Sequence, residues 1–493
     1  MIKFRNFLST ILLIFLGTAF LSGLLYRSYY IPDQPLFERN TLIDYVLLII
    51  LSFATIMLIY LFRNIGYKKG LYISIIISVI SQVLFIVLYP LEPFSDMKEI
   101  HDIAININKF NYGAYYEKGQ YLSIFPNNIY MALLLKGFYT LFTPHILVAK
   151  SINIFSSIII IICSGRIYKE LFGEKYIGSF FLLLSLFPPT ILYSNHIYND
   201  SISTALFILA TLALIIGVRR SKNYIVILSF FILAMGDLIR QIGLVFLIAF
   251  VISLILKKGR TLRNLMLIIF GVTLFFFTKI FMSTIFIQLG LIASHYNQFS
   301  MPIYAWIYLG LNPMTLGFQD GGQSFELFYQ VHQNKDIAVR LYKEGIQQRF
   351  FDNGLIGNIP LVIKKFVWTW TEGTYQMERY GFGYGNKLEY STFLSKLIED
   401  NAILRSIINR IMHVYNLVLL ALACVGLRRL NKNSDDLVIV LLLMISGILA
   451  FYIIWEIKSR YIFVIWPYMY ILSFFGASCL IEKIELKKKG SKE

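Results

Sequence analysis

Runs of about 20 mostly apolar residues recur along this chain, and a helix of that length matches the hydrocarbon thickness of a bilayer. On that criterion, spans fall near 7–26, 42–62, 71–90, 146–164, 176–194, 200–217, 224–238, 241–256, 265–287, 408–427, 437–455 and 461–481, about twelve in all. Of the 493 residues only 15% are charged and 57% are apolar, against roughly 25% charged in an ordinary soluble domain. A soluble globular enzyme, a disordered chain and a fibrous protein are thereby excluded. The expected fold class is an all-α polytopic membrane protein. The first run follows Lys3 and Arg5. It is long for a signal core and lacks a clear small-x-small cleavage site, so an uncleaved anchor is expected.

The net charge is +17, and the positions of the charges identify their partner. With both termini cytoplasmic, the basic clusters fall on one side: Arg63, Lys68 and Lys69; Arg166, Lys169 and Lys175; Arg219, Arg220 and Lys222; Lys257, Lys258, Arg260 and Arg263; Arg428, Arg429 and Lys432; and the lysines after 482. The short turns of the other side hold Arg27, Arg39, Arg240, Lys458 and Arg460. This is a positive-inside pattern. It accounts for the basic balance by membrane lipid, without nucleic acid as a partner. Cys163, Cys424 and Cys479 form no C-x-x-C pair and read as small hydrophobes.

Two outer segments, 91–145 and about 288–407, are too long to be turns. The apolar stretch 127–142 in the first is expected to lie as a helix at the outer interface, because a crossing there would invert every later loop. The second holds a helical pattern near 334–351 and the aromatic stretch Phe366-Val367-Trp368-Thr369-Trp370, expected as one or two interfacial helices plus loop. No internal repeat relates the two halves, which weighs against an inverted-repeat transporter.

The span assignment places four polar features on the outer side: Asp96; Asn199 and Asp200; Arg240; and Glu456 with Arg460 and Tyr461. A carboxylate at an apolar boundary suits a base or a metal ligand. Arginine suits phosphate, because its fork donates two parallel hydrogen bonds. Each feature also has a plainer reading. Asp96 and Asp200 fit helix caps. Arg240 and Arg460 fit snorkelling side chains. Glu456 and Arg460 fit an i,i+4 ion pair. Trp368 and Trp370 fit either a membrane belt or a sugar platform. Lys150 and Lys279 lie inside apolar runs, close enough to their ends to snorkel, and stay unassigned. Asp320-Gly321-Gly322-Gln323-Ser324 lacks G-K-[ST] and is no phosphate loop, and no H-E-x-x-H occurs. His101, His196 and His295 all fall near the outer face. A divalent cation held by Asp96 and Asp200 is left open, with no support from spacing.

In their order, these motifs resemble the GT-C superfamily of integral-membrane glycosyltransferases, close to the protein mannosyltransferases and lipid A aminoarabinose transferases (glycosyltransferase family 39-like). The resemblance runs from about 71 to 481. It rests on Pro93-Phe94-Ser95-Asp96, on Tyr121 to Tyr130, on Ile197-Tyr198-Asn199-Asp200, on Leu238 to Leu244, and on Glu456-Ile457-Lys458-Ser459-Arg460-Tyr461 with Pro467 beyond. It implies transfer of one sugar from a polyprenyl-phosphate donor to an envelope glycan or lipid acceptor on the non-cytoplasmic face, with inversion. Asp96 would be the general base. Arg240 and Arg460 would hold the donor phosphate, and Asp200 would orient the acceptor or help bind a cation. Asn199, Glu456, Tyr461, Trp368 and Trp370 would contact acceptor or sugar. The implied organisation is two additional N-terminal helices over 1–70, a transmembrane core over 71–287, the large outer loop over 288–407, and C-terminal helices with a basic tail over 408–493. Two departures stand out: Asp96 is single where members building on proteins often have an adjacent acidic pair, and no soluble C-terminal domain is expected. A transporter or flippase and a lipid-linked glycan polymerase are the competing readings. Abundant Ile, Lys, Asn and Tyr point to an AT-rich genome, hence a bacterial cell membrane and undecaprenyl phosphate.

Overall fold

The computed structural model describes residues 2–31, 34–258, 261–320, 322–383, 387–398, 403–430 and 434–490. Among these, eight helices are long and apolar enough to cross a membrane: Ile2–Leu25, Leu42–Leu61, Tyr67–Leu88, Ile146–Phe172, Asn199–Arg219, Leu262–Gln288, Ile403–Arg429 and the segment Ser459–Leu486. Ile177–Ser185 and Pro188–Asn195 pass the same test only as a pair, bent by 46°. The bend falls at Pro188-Pro189, where two backbone donors are missing and the ring clashes with the preceding turn. Three shorter apolar helices follow the remaining runs: Asn223–Ile239, Gly243–Lys257 and Val438–Ile454. Seventeen residues, as in Asn223–Ile239, reach only about 25 Å at 1.5 Å per residue.

Burial sorts these helices. Asn199–Arg219 and Ile403–Arg429 are two-thirds buried, whereas Leu42–Leu61 is only 17% buried. Its Leu42, Ile49 and Phe53 stand exposed, as do Ile269 and Ile280 on Leu262–Gln288. Whole apolar helix faces of this size are not tolerated in water and require lipid, so the chain is an integral membrane protein. The central helices approach closely through glycine. A Cβ on Gly476 would sit 1.9 Å from the Leu422 carbonyl oxygen, and one on Gly426 would sit 2.4 Å from that of Leu472. Gly476→Val therefore pushes two backbones apart. It is expected to cost about 3 kcal/mol or more, read as a lowered unfolding midpoint in detergent.

The basic helix ends gather at one end of the bundle. Lys175 pairs with Glu482 at 3.0 Å, Lys257 with Asp436 at 3.1 Å, Arg63 with Glu485 at 3.8 Å, and Arg219 with Asp435 and Glu170. Arg260, Lys432 and Lys492 of those clusters, and Gly321 of the glycine turn, lie outside the described residues.

At the opposite end the two long connections fold into helices. The first holds Asp96–Asn106 and Ile129–Leu141, which share a small core of Met97, Ile100, Ile103, Met131 and Leu135. The second corrects two expectations. The helix expected near 334–351 runs over Lys335–Thr371, interrupted where Gly354 takes φ 63°, a conformation glycine adopts at little cost. Its second half is no interfacial stretch. Lys365 is buried and donates to the carbonyls of Gly310, Ile453 and Trp455, and Trp368 and Trp370 are buried. The link between the first two long helices is a β-hairpin, Tyr26–Ile31 paired antiparallel with Gln34–Arg39. It is held against the long helix by the Ser28–Thr371 hydrogen bond of 2.6 Å. Every other regular element among the described residues is helical.

Candidate functional site

Asp200 is the second residue of Asn199–Arg219, after Tyr198 at the cap position, so it is not the cap. A carboxylate in a first turn is favoured by the helix dipole, but this one is only 1% exposed and needs partners. One oxygen accepts from Arg240 Nη1. The other lies 3.0 Å from His196 Nε2 and 3.9 Å from Arg460 Nε. Burial holds the His196 imidazole below its ordinary pKa, against the pull of Asp200.

Arg240 closes the Asn223–Ile239 helix and points inward rather than snorkelling; its Nη2 donates to the Tyr461 carbonyl at 3.1 Å. The turn that aims it is fixed by Asp237, which accepts from the Gly243 amide and from Lys279 Nζ, both at 2.6 Å. A Cβ on Gly243 would stand 2.6 Å from the Asp237 Cβ, which explains the glycine at this point. Lys150 is likewise partnered internally, with the Leu91 carbonyl at 2.8 Å and Glu389 at 3.6 Å.

Arg460 is 4% exposed. Its guanidinium lies 4.6 Å from the ring centroid of Tyr380, 4.9 Å from that of Tyr198 and 5.7 Å from that of Tyr461, and its Nε has no hydrogen-bond partner. The i,i+4 ion pair that Glu456 and Arg460 could have formed is not made. The chain is not helical before Ser459, so Glu456 turns to Lys458 at 2.9 Å and to the Tyr461 hydroxyl at 2.8 Å. What sets Arg460 in place is Glu372, a residue that no sequence pattern marks. Its buried carboxylate accepts from the amides of Thr374 and Gln376 and from the hydroxyls of Thr374 and Ser459. This ties a turn with Tyr375 and Gln376 at positive φ to the neighbour of Arg460. Burial pushes the Glu372 pKa up, while those donors pull against it.

Asp96 opens Asp96–Asn106, after Ser95 at φ 50° with no capping hydrogen bond. It is half-buried and acts electrostatically on Tyr121, Tyr198 and His196. Burial first, then the charges of Tyr198 and Asp96, raise the Tyr121 pKa. Asp200, Arg240, Glu456, Arg460 and Tyr461 are linked into one cluster by hydrogen bonds, an ion pair and ring contacts, with buried Asn199 beside Asp200; Asp96 makes no hydrogen bond or ion pair with it among the described residues. Trp368 and Trp370 belong elsewhere, contrary to the acceptor role expected of them. Trp368 donates to the Tyr29 carbonyl at 3.1 Å and packs edge-on against Phe318, while the Trp370 carbonyl accepts from Asn416. Among the described residues no three His, Cys, Asp or Glu side chains gather as a metal site requires. A cavity of about 610 Å³ lies at the basic end, bordered by Phe172, Arg429, Asp435 and Glu482, away from this cluster.

Glu378 lies two residues before Tyr380, and its pKa is pushed up to about 7 by burial, against the opposing charge of Arg405. Its folded pKa stands above the ordinary value of 4.5. The stability it contributes is therefore complete below about pH 4.5 and is lost as pH rises to about 7. Glu378→Gln is expected to flatten the decline of the unfolding midpoint between pH 5 and pH 8.

The fold and this cluster define an integral membrane protein with a buried acid–arginine site at the end opposite its basic face. No family model matches the chain, and no curated protein sequence matches it.

Proposed function

We propose that this protein is a membrane glycosyltransferase of the GT-C type, moving one sugar from a polyprenyl-phosphate donor to an envelope glycan or lipid acceptor. In this reading all twelve apolar runs cross a bacterial cell membrane, the three short helices by local thinning of the bilayer. The acid–arginine cluster then faces outward and the basic ends face the cytoplasm. The reading is carried by Arg460: a buried guanidinium within 5.7 Å of three tyrosine rings, its Nε without a hydrogen-bond partner. That is the requirement of a reaction in which an anion leaves as a hydroxyl loses its proton.

The acceptor oxygen forms a bond to the anomeric carbon, and its proton passes to Asp96. The bond from that carbon to the phosphate oxygen breaks on the opposite face, and its electron pair stays on the phosphate. Arg460 stabilises the charge gathering there. Arg240, already held by Asp200 and the Tyr461 carbonyl, fixes the segment on which Arg460 sits. The Asp200–Arg240–Arg460 set neutralises charge around the donor phosphate. The configuration inverts.

Cells lacking the protein, complemented with wild type or Asp96→Asn at equal membrane level, provide the test. Mass spectrometry of lipid-linked and polymer-linked sugars is expected to show one lipid-linked monosaccharide accumulating and one envelope sugar lost with Asp96→Asn. Pools equal to wild type would reject Asp96 as base and favour a flippase; accumulation of a lipid-linked oligosaccharide would favour a polymerase.

A further inference from the structure

The cavity of about 610 Å³ at the basic end lies where the end of Ile146–Phe172, the end of Ile403–Arg429, the turn ahead of Val438–Ile454 and the last turns of Trp466–Gly490 come together. Phe475, Cys479 and Lys483 border it from the last of these helices. They follow one another at i, i+4 spacing, so they share one face. That face runs from apolar to cationic. Phe475 stacks on Phe172 with ring centroids 4.1 Å apart. Cys479 comes next, a free and half-buried thiol. Lys483 stands exposed beyond it, and Arg429, also exposed, borders the same cavity. Two carboxylates line the cavity as well, but both are engaged: Asp435 by Arg219, and Glu482 by Lys175 at 3.0 Å. The side chains of Arg429 and Lys483 make no hydrogen bond or ion pair among the described residues. The charge left uncommitted around the cavity is therefore positive.

We propose that this cavity binds an anionic phospholipid, with Arg429 and Lys483 on the headgroup phosphate and the start of an acyl chain over Phe172 and Phe475. Arginine suits the phosphate by its fork, and lysine as a point charge. Basic clusters beside a membrane attract anionic lipid diffusely; here the aromatic floor gives the lipid a fixed place. A free phosphate ion would use the two cations and leave that floor uncovered. A zwitterionic lipid would bring its ammonium to carboxylates already held by Arg219 and Lys175. An occupant reaching from the cations to the floor covers Cys479, which lies between Phe475 and Lys483 on the shared face. The site is independent of the acid–arginine cluster at the opposite end and of the reaction assigned to it.

The test uses the purified full-length chain in a neutral detergent. Alkylation of Cys479 by N-ethylmaleimide is followed by peptide mass spectrometry, with Cys424 as reference, also half-buried but not bordering the cavity. Phosphatidylglycerol, phosphatidylcholine with the same acyl chains, and inorganic phosphate are added in turn. Saturating phosphatidylglycerol is expected to slow Cys479 about tenfold relative to Cys424, while the other two leave it near its lipid-free rate. Each cation near an anionic headgroup contributes a factor of about five. In the double variant Arg429→Gln, Lys483→Gln the half-protecting concentration should therefore rise about tenfold or more, each protein being compared with its own lipid-free rate. Both side chains are exposed and unpaired, so the unfolding midpoint without lipid should stay at the wild-type value. Equal protection by phosphatidylcholine, or undiminished protection in the double variant, overturns the proposal. Protection by inorganic phosphate alone makes the cavity a simple anion site and overturns it as well. If Cys479 does not react in lipid-free detergent, the phosphatidylglycerol that co-purifies decides, counted by lipid mass spectrometry: the double variant is expected to retain fewer molecules per chain, and equal retention rejects the site.

Discussion

Asp200→Asn is expected to deplete the folded protein from the membrane. Arg240 and Arg460 are both buried, and Asp200 is the carboxylate that both face. Asparagine keeps the shape and still offers an oxygen to Arg240 and His196, so the change isolates the charge. Two guanidiniums would then share a dry site without a counter-ion. Removing one partner of a buried ion pair costs about 3–5 kcal/mol, a large part of the roughly 5–15 kcal/mol that holds a typical domain folded. Immunoblots of the membrane fraction and unfolding midpoints in detergent measure it. Adding Arg240→Gln to Asp200→Asn should recover part of the loss, because it removes one of the stranded cations, and this non-additivity identifies a shared cluster rather than two separate defects. An Asp200→Asn protein as abundant and as heat-resistant as wild type would mean that Asp200 is not the counter-ion.

The helices were legible because hydropathy reports burial in lipid or protein alike; the apolar runs fall on helices, eight of them long enough to cross a membrane and the run 176–194 on a pair bent at Pro188-Pro189. The same property hid where the long Lys335–Thr371 helix packs. Lys364-Lys365 beside Phe366 and Trp368 has the composition of an interfacial segment, and only the carbonyls of Gly310, Ile453 and Trp455 make it an interior one. Those acceptors come from distant parts of the chain, so no local pattern announces them. The cluster itself was readable in outline, since acids and arginines at one end of consecutive spans must meet. Their pairing was not. Glu456 and Arg460 have helical spacing, but Ser459 is drawn to Glu372, and the extended chain before Ser459 sends the two side chains to different partners. Glu372, Glu378 and Asp237 escaped notice for a related reason: each works through a buried hydrogen bond or a desolvated charge, and neither leaves a sequence signature. The hairpin Tyr26–Ile31/Gln34–Arg39 offered more. Its aromatic and apolar residues fit strands, but a short link between two spans reads most simply as a turn.

Arg460→Lys should separate chemistry from stability. Lysine preserves the charge that faces Asp200 but loses the planar fork that lies close to the Tyr198 and Tyr380 rings. The ammonium keeps the cluster neutralised, so the protein should reach the membrane at close to wild-type level. Transfer should nevertheless fall about 10²–10³-fold, the usual cost of losing one donor aimed at developing negative charge. The lipid-linked monosaccharide would then accumulate as it does with Asp96→Asn. Arg240→Lys provides the contrast. Arg240 spends its donors on Asp200 and on the Tyr461 carbonyl, so its replacement should lower abundance and the unfolding midpoint, with turnover per folded molecule much less affected. Measuring lipid-linked sugar per unit of membrane protein for both variants distinguishes the two arginines. If Arg240→Lys stalls transfer at full abundance while Arg460→Lys merely destabilises, the phosphate belongs on Arg240 and the unspent donors of Arg460 have another purpose.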